Sequence, residues 1–267
     1  MIKPLEADLR WANCGQATEG GWSLAWAQLI GVHHLTLSED SVAHRLVDLD
    51  SEQHGLSLAV ADGVGSGARG DVASSVLAQH CTQAPDAYLG DANALDGWMR
   101  KAEDLVQLRL REVSFSPGAS TVAAAWLLPD GGGHLMRVGD ARAYCYDTSG
   151  DGAVTQPILR QLTQDQTYAH VQETPPEGGS LDDPARMVGT GFMGEPEIEP
   201  LHLKPGQILL LCSDGLPRGL DTDGMELILS ASSNLAEAAR DLAEEAFKRG
   251  SEDDITVLLA QLAREVQ

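Results

Sequence analysis

Asp62, Asp214 and Asp253 hold similar places in three distant parts of the chain. LAVADGVG and ILLLCSDG each run apolar residues into an Asp-Gly pair, and EDDITVLLAQL sets acids just ahead of an apolar run. Asp140 interrupts a fourth apolar stretch, MRVGDARAY, and Glu39 and Asp40 stand together in LSEDSV. Neighbouring strand ends lie about 5 Å apart, so acids placed this way can meet in one small volume. Carboxylates that close cannot all stay ionised uncompensated, because burying an isolated one is costly or raises its pKa. A divalent cation supplies the compensation. Oxygen donors without a His or Cys pattern point to Mg²⁺ or Mn²⁺, and one aspartate could bridge two such ions. The glycine after Asp62, and after Asp214, lets the backbone turn sharply and approach an ion. One Asp-Gly after a strand is ordinarily only a turn; the repetition points to chemistry. Asp254, next to Asp253, reads equally well as a solvated residue.

The elements that must carry these acids are legible in part. WSLAWAQLIGV reads as a strand with two apolar faces, and LSLAVA as a second strand after a polar hairpin-like connection around DLDSEQHG. Asp71 is placed to open a helix, DVASSVLAQHC, after the glycine loop. Leu95, Trp98, Met99, Ala102, Leu105, Val106 and Val113 recur at helical spacing, which predicts one amphipathic helix between Asn93 and Val113. TVAAAWLL, PDGGG and HLMRVGDARAYCYD read as strand, tight hairpin, and a strand broken at Gly139-Asp140. Residues 163–200 are rich in Gly, Pro, Asp and Glu and read as a loop-rich insertion with a short helix. A strand in GQILLLC, a helix over Asn234–Lys248 and a last strand, ITVLLAQL, complete the chain. Strands and helices come in blocks, so the expected fold is α+β, sheets with helices outside, and not a βαβ alternation.

Composition narrows the function. The 267 residues carry 40 acidic against 18 basic side chains, a formal charge of −22. That excludes nucleic acid as an expected partner, since a phosphate backbone demands a basic face. Most of the acids must be ordinary solvated surface. With 43% hydrophobic residues the chain can bury a core, and its length suits one domain. Cys14, Cys81, Cys145 and Cys212 lie far apart with no CxxC pair and read as reduced and structural. No apolar run has the length to cross a bilayer, and MIKPLEADLR lacks the features of a signal peptide, so the expected compartment is the cytoplasm.

Taken in order, SEDS, VADGVGSGARGDVAS, AST before an apolar strand, RVGDARAY, LTQDQ, ILLLCSDGL and GSEDDITVLL resemble the metal-dependent serine/threonine phosphatases of type 2C, in particular bacterial members. The resemblance runs from about residue 30 to 262. It implies a four-layer α-β-β-α sandwich of two antiparallel sheets flanked by helices, with residues 1–267 as one domain and about 165–192 as a flap beside the site. It also implies hydrolysis of phosphoserine and phosphothreonine in proteins, opposing a serine/threonine kinase, by in-line attack of a metal-bridged water on phosphorus. Asp62 would bridge two Mn²⁺ or Mg²⁺ ions and the Gly63 carbonyl would bind one of them. Asp214 and Asp253 would complete one site, and Glu39 would hold the other, largely through water. Asp140, with Asp214, matches the place of a weaker third ion.

The resemblance breaks at the phosphate. The family's phosphate-gripping arginine lies four residues before the glutamate, where this chain has Leu35, preceded by His33 and His34. His34 is the substitute if the register shifts by one, with Arg45, Arg69 and Arg186 as further candidates. Val64 replaces the histidine that follows Asp-Gly in eukaryotic members, and Asp253-Asp254 replaces Asp-Asn. Two alternatives follow: a phosphatase fold that binds without turnover, or a hydrolase of small phosphate esters.

Overall fold

The computed structural model describes residues 9–49, 54–64, 69–113, 117–147, 157–191 and 193–263, and their strands pair antiparallel in two sheets. One sheet has the order β1 (Trp11–Glu19), β2 (Trp22–Leu29), β11 (Ile255–Leu262), β10 (Ile208–Cys212), β7 (Arg142–Asp147), β8 (Ile158–Gln161). The other has β3 (Ser41–Asp48), β4 (His54–Val64), β5 (Ala119–Leu127), β6 (Gly132–Val138), β9 (Glu197–His202). The face of the second sheet that carries Ala59, Ala61, Val122, Ala124 and Trp126 is covered by α1 (Gly70–Thr82), α2 (Ala92–Met99) and α3 (Ala102–Val113). The first sheet is covered by α5 (Gly215–Gly219), α6 (Thr222–Ala231) and α7 (Leu235–Lys248). A short α4 (Tyr168–Val171) lies outside both packs. The result is the expected α-β-β-α sandwich.

Strand alternation decides what enters the gap between the sheets. On β4, Leu56, Leu58 and Val60 pack into the inter-sheet core, while Ala59 and Ala61 face the helices. The same parity carries Asp62 to the inter-sheet side at the end of the strand. On β11, Leu258, Ala260 and Leu262 face inward and Ile255, Val257 and Leu259 face α7. Helix α7 can lie close because its buried face is mostly alanine, and α5 abuts it through Gly219, where a Cβ would stand 2.2 Å from the Ala246 carbonyl oxygen. Asn234 caps α7, its side chain accepting from the Glu237 amide at 3.0 Å.

The structure departs from the sequence expectations in several places. The helix expected between 93 and 113 is two, α2 and α3, broken at Arg100-Lys101. Trp98 fixes the end of the first: its indole stacks on His80 with ring centroids 4.4 Å apart and donates to the His80 carbonyl at 3.0 Å, tying α2 to α1. The break expected at Gly139-Asp140 is present, but it divides the stretch between the two sheets, β6 in one and β7 in the other. Gly139 turns that corner at φ +94, packed so tightly that a Cβ would meet the Thr121 side chain at 2.5 Å. β1, β3, β8 and α6 have no counterpart among the expected elements, and β9 begins inside the stretch read as loop. Part of the DLDSEQHG connection (50–53) and part of the glycine loop (65–68) lie outside the described residues. All four cysteines are free, and Cys81, Cys145 and Cys212 are buried. Among the described residues no helix is long and apolar enough to cross a membrane.

Candidate active site

Five chain segments deliver acids to one edge of the sandwich. Asp62 is an inward residue near the end of β4, opposite Thr121 of β5. The end of β10 and the start of β11 are register partners, Cys212 with Val257, so Asp214 and Asp253 emerge side by side. The Ser213 amide donates to the Thr256 carbonyl at 3.1 Å and the Thr256 amide to Ser213 Oγ at 2.9 Å, which holds that junction closed. Asp140 sits at the corner between the sheets, and Glu39 and Asp40 immediately precede β3. All of these line one cavity of about 830 Å³. The structure therefore brings every expected site residue, Glu39, Asp62, Gly63, Asp140, Asp214, Asp253 and His34, to a common space.

Electrostatics identifies Asp62 as the hub. Burial, and then the charges of Asp40, Asp214, Asp140 and Asp253, hold its carboxyl well above the usual range. Asp140 is pushed up to about 7, first by burial and then by Asp214 and Asp165. Burial also raises Asp253, with Asp214 next, and Glu39, where His34 works in the opposite direction. Gly63 is needed for the close chain crossing: a Cβ there would stand 2.5 Å from the Glu39 carbonyl oxygen.

The residues fit divalent ions. Asp40 Oδ2 and Asp214 Oδ1 are buried with no hydrogen-bond partner, an arrangement that a protein ordinarily avoids. Among the described residues no three Asp, Glu, His or Cys side chains close around a single point. The oxygens instead ring a shared space, as suits hard cations that retain several waters and take few direct carboxylates.

Three residues here were missed or misjudged from sequence. Asp254 is not solvated: it is buried, and its carboxylate accepts from the Gly31 amide at 2.6 Å and the Glu39 amide at 2.6 Å, with His34 Nδ1 at 2.9 Å. It thus fastens the 31–39 loop and sets the place of Glu39. Asp40, paired with Glu39 in the sequence but not singled out, is buried and held well above the carboxylate range by burial and then Asp254, with the neighbouring Ser213 and Thr256 hydroxyls working in the opposite direction. Arg218 escaped notice altogether. Its Nε donates to Asp214 Oδ2 at 2.9 Å, Nη2 donates to the same oxygen, and Nε lies 3.6 Å from Asp253 Oδ2. The signal was a base four residues after a strand-end acid, one helical turn on. Arg45, Arg69 and Arg186, the candidates for a phosphate contact, do not line the cavity. Arg45 donates to the Thr82 and Ala84 carbonyls, Arg69 pairs with Asp71, and Arg186 with Glu173. Leu35 is 86% exposed.

A family model described as protein phosphatase 2C matches residues 36–263. The chain belongs to this family. The serine/threonine phosphatase stp of Listeria monocytogenes is 29% identical to this phosphatase over 218 residues, 76% of this chain and 82% of the relative. The serine/threonine protein phosphatase PstP of Mycobacterium tuberculosis is 32% identical over 216 residues, 77% of this chain but 40% of the relative. The crystal structure of the Mycobacterium tuberculosis phosphatase PstP/Ppp matches this phosphatase with a TM-score of 0.69 at 25% identity, over 91% of this chain and 99% of that one. A structure of the PstP catalytic domain in complex with 2 manganese ions matches with a TM-score of 0.68 at 26% identity, again over 91% and 99%. The protein is thus a metal-dependent serine/threonine protein phosphatase.

Proposed function

We propose that Asp62 is shared between two divalent ions, Mn²⁺ or Mg²⁺, that serve the hydrolysis of phosphoserine and phosphothreonine in proteins. The Gly63 carbonyl and Glu39 would hold one ion, Glu39 largely through water, and Asp214 and Asp253 would complete the other. Asp140, next to Asp214, would serve a weaker third site. When bound, the ions neutralise phosphoryl charge and activate water. The chain's own residues fix geometry. Asp254 positions Glu39 through its backbone amide, and Ser213 and Thr256 lie against Asp40. His34, 3.7 Å from Glu39 through Nε2, offers a contact to substrate at the cavity wall. The flap of about residues 165–192 shapes the choice of phosphoprotein; Phe192 lies outside the described residues. A cytoplasmic setting, opposite a serine/threonine kinase and without nucleic-acid or membrane partners, accords with the −22 charge.

One observation carries this reading: Asp62, Asp40, Asp140, Asp214 and Asp253, drawn from distant parts of the chain, line a single cavity. The test is turnover of a phosphothreonine peptide with Mn²⁺, with EDTA, and with Asp214→Asn. The expected result is turnover that EDTA and the substitution both abolish. Turnover surviving both overturns the assignment.

A further inference from the structure

A phosphomonoester dianion entering this cavity meets a wall of carboxylates. Metal ions offset part of that charge, yet substrate oxygens that face away from them still need donors. The position where the resemblance to the family implies a phosphate-gripping arginine is Leu35, which has no donor to give. Arg10, the arginine nearest that loop, spends its guanidinium on the backbone carbonyls of Gly31, His34 and Leu35.

Arg218 is the only arginine or lysine among the described residues that line the cavity. It projects from α5, directly behind Asp214, and its side chain is 55% exposed, so the guanidinium is not packed in place. Among the described residues it pairs with two carboxylates of the site itself, Asp214 and Asp253. A planar guanidinium that binds carboxylate oxygens also matches phosphate oxygens, in a similar forked geometry. Divalent ions on Asp214 and Asp253 would lessen the hold of those carboxylates on the guanidinium, leaving its donors for an incoming anion.

We infer that Arg218 is the residue that grips the substrate phosphate in this chain, taking over from another segment the role left vacant at Leu35. The inference rests on the metal-site reading above. It makes Arg218 a specificity device on the β10–α5 junction, whereas His34, held by Asp254 and close to Glu39, contributes less to anion binding.

The experiment measures inorganic phosphate binding to the Mn²⁺-saturated full chain by calorimetry, beside Mn²⁺ binding alone, for wild type, Arg218→Gln and Arg218→Lys. Phosphate affinity should fall about tenfold or more in Arg218→Gln, as expected for losing a charge-assisted pair, with partial recovery in Arg218→Lys. Mn²⁺ affinity should not fall, because a cation has been removed from beside the ligands. KM for a phosphothreonine peptide should rise in parallel with the phosphate dissociation constant. Phosphate affinity within about twofold of wild type in a folded, Mn²⁺-saturated Arg218→Gln protein overturns the inference. So does a weakened phosphate affinity that higher Mn²⁺ restores fully, since Arg218 would then act only on Asp214. Failure of the wild type itself to bind Mn²⁺ would instead sink the metal-site reading, which keeps the two failures apart.

Discussion

The carboxylate wall of the cavity hangs from paired strands, whereas the flap wall hangs from a few backbone bridges. Asp62 is locked by β5 on one side and, through Ala61 and Ser41, by β3 on the other; the β10–β11 ladder places Asp214 and Asp253. The flap is rooted near its two ends, where Asp165 also pairs with Arg142 and the Gly189 and Gly191 amides donate to Glu103. Gln166 exchanges backbone bonds with Gly139 and Ala185, and Val188 pairs with Ser120 at 2.9 Å in both directions. Between these roots, residues 176–183 are exposed throughout. The difference is chemical in origin. Ion ligation tolerates displacements of a few tenths of an ångström, which only a ladder of strands guarantees, while selection among protein substrates gains from a segment whose tip can change without disturbing the sheets.

The sharpest way to break the carboxylate wall is Asp62→Asn. Loss of the hub should lower kcat/KM on a phosphopeptide by on the order of 10²–10³-fold. The same substitution should raise the melting temperature of EDTA-treated protein, since it removes a charge that burial and four neighbouring acids oppose. Calorimetric melting and steady-state kinetics on one preparation check both halves. A loss of activity together with a loss of metal-free stability would mean that Asp62 is a structural residue.

A smaller effect is expected one layer behind the wall. Asp254→Ala leaves the amides of Gly31 and Glu39 without their acceptor, and should cost about 1–3 kcal/mol in denaturant unfolding. Glu39 would then lose its placement, and metal affinity should fall by about 10–100-fold. Unchanged Mn²⁺ affinity in the folded variant would show that Glu39 is placed by Ser74, which donates to its carbonyl, and by β3 alone.

How much of this was readable from sequence follows from range. The ends of β4, β10 and β11 were legible because an apolar run and an acid are adjacent in the chain. β1 and β3 were not, since their half-exposed sequences, WANCGQATE and SVAHRLVD, carry little alternation. β8 is a four-residue edge strand, too short to show a period, and β9 is an edge strand holding Pro200 that read as loop. α6 contains Gly224 near its start and is secured by Asp221, which accepts from the Gly224 amide at 2.9 Å, a cap too brief to stand out. The separation of β6 from β7 was hidden because Gly139 marks a bend equally well within one sheet. The acids themselves were found; the loop fastening by Asp254 and the reach of Arg218 into the cavity depend on contacts across more than 200 residues in the first case and on a helix of five residues in the second.

The wall also predicts a pH dependence of modest size. The Asp140 carboxyl is raised from its ordinary value to about 7 in the folded chain, so the proton binds more tightly in the folded than in the unfolded state. Its contribution is therefore full below about pH 4 and is lost as pH rises through about 7. In EDTA, Asp140→Asn should be more stable than wild type at pH 8 by about 1–4 kcal/mol, the gain shrinking steadily toward pH 4. Denaturant titrations across that range measure it. A gain that is flat with pH would assign the effect to packing at the sheet corner and not to charge.

The least effect should come from the flap. Asp183 lines the cavity, but among the described residues its carboxylate accepts only from the Ser180 amide, at 2.8 Å, and the residue is exposed. Asp183→Ala should leave global stability within about 0.5 kcal/mol, as for other surface changes. Its signature is a ratio: kcat/KM for phosphoprotein should shift relative to that for a small aryl phosphate, because only the larger substrate spans both walls. Equal shifts on the two substrates would place Asp183 with the strand-borne acids and erase the distinction between the walls. A ratio that moves while metal affinity stays constant would confine substrate choice to the segment between Gln166 and Val188, where few strand bonds would have to change to alter it.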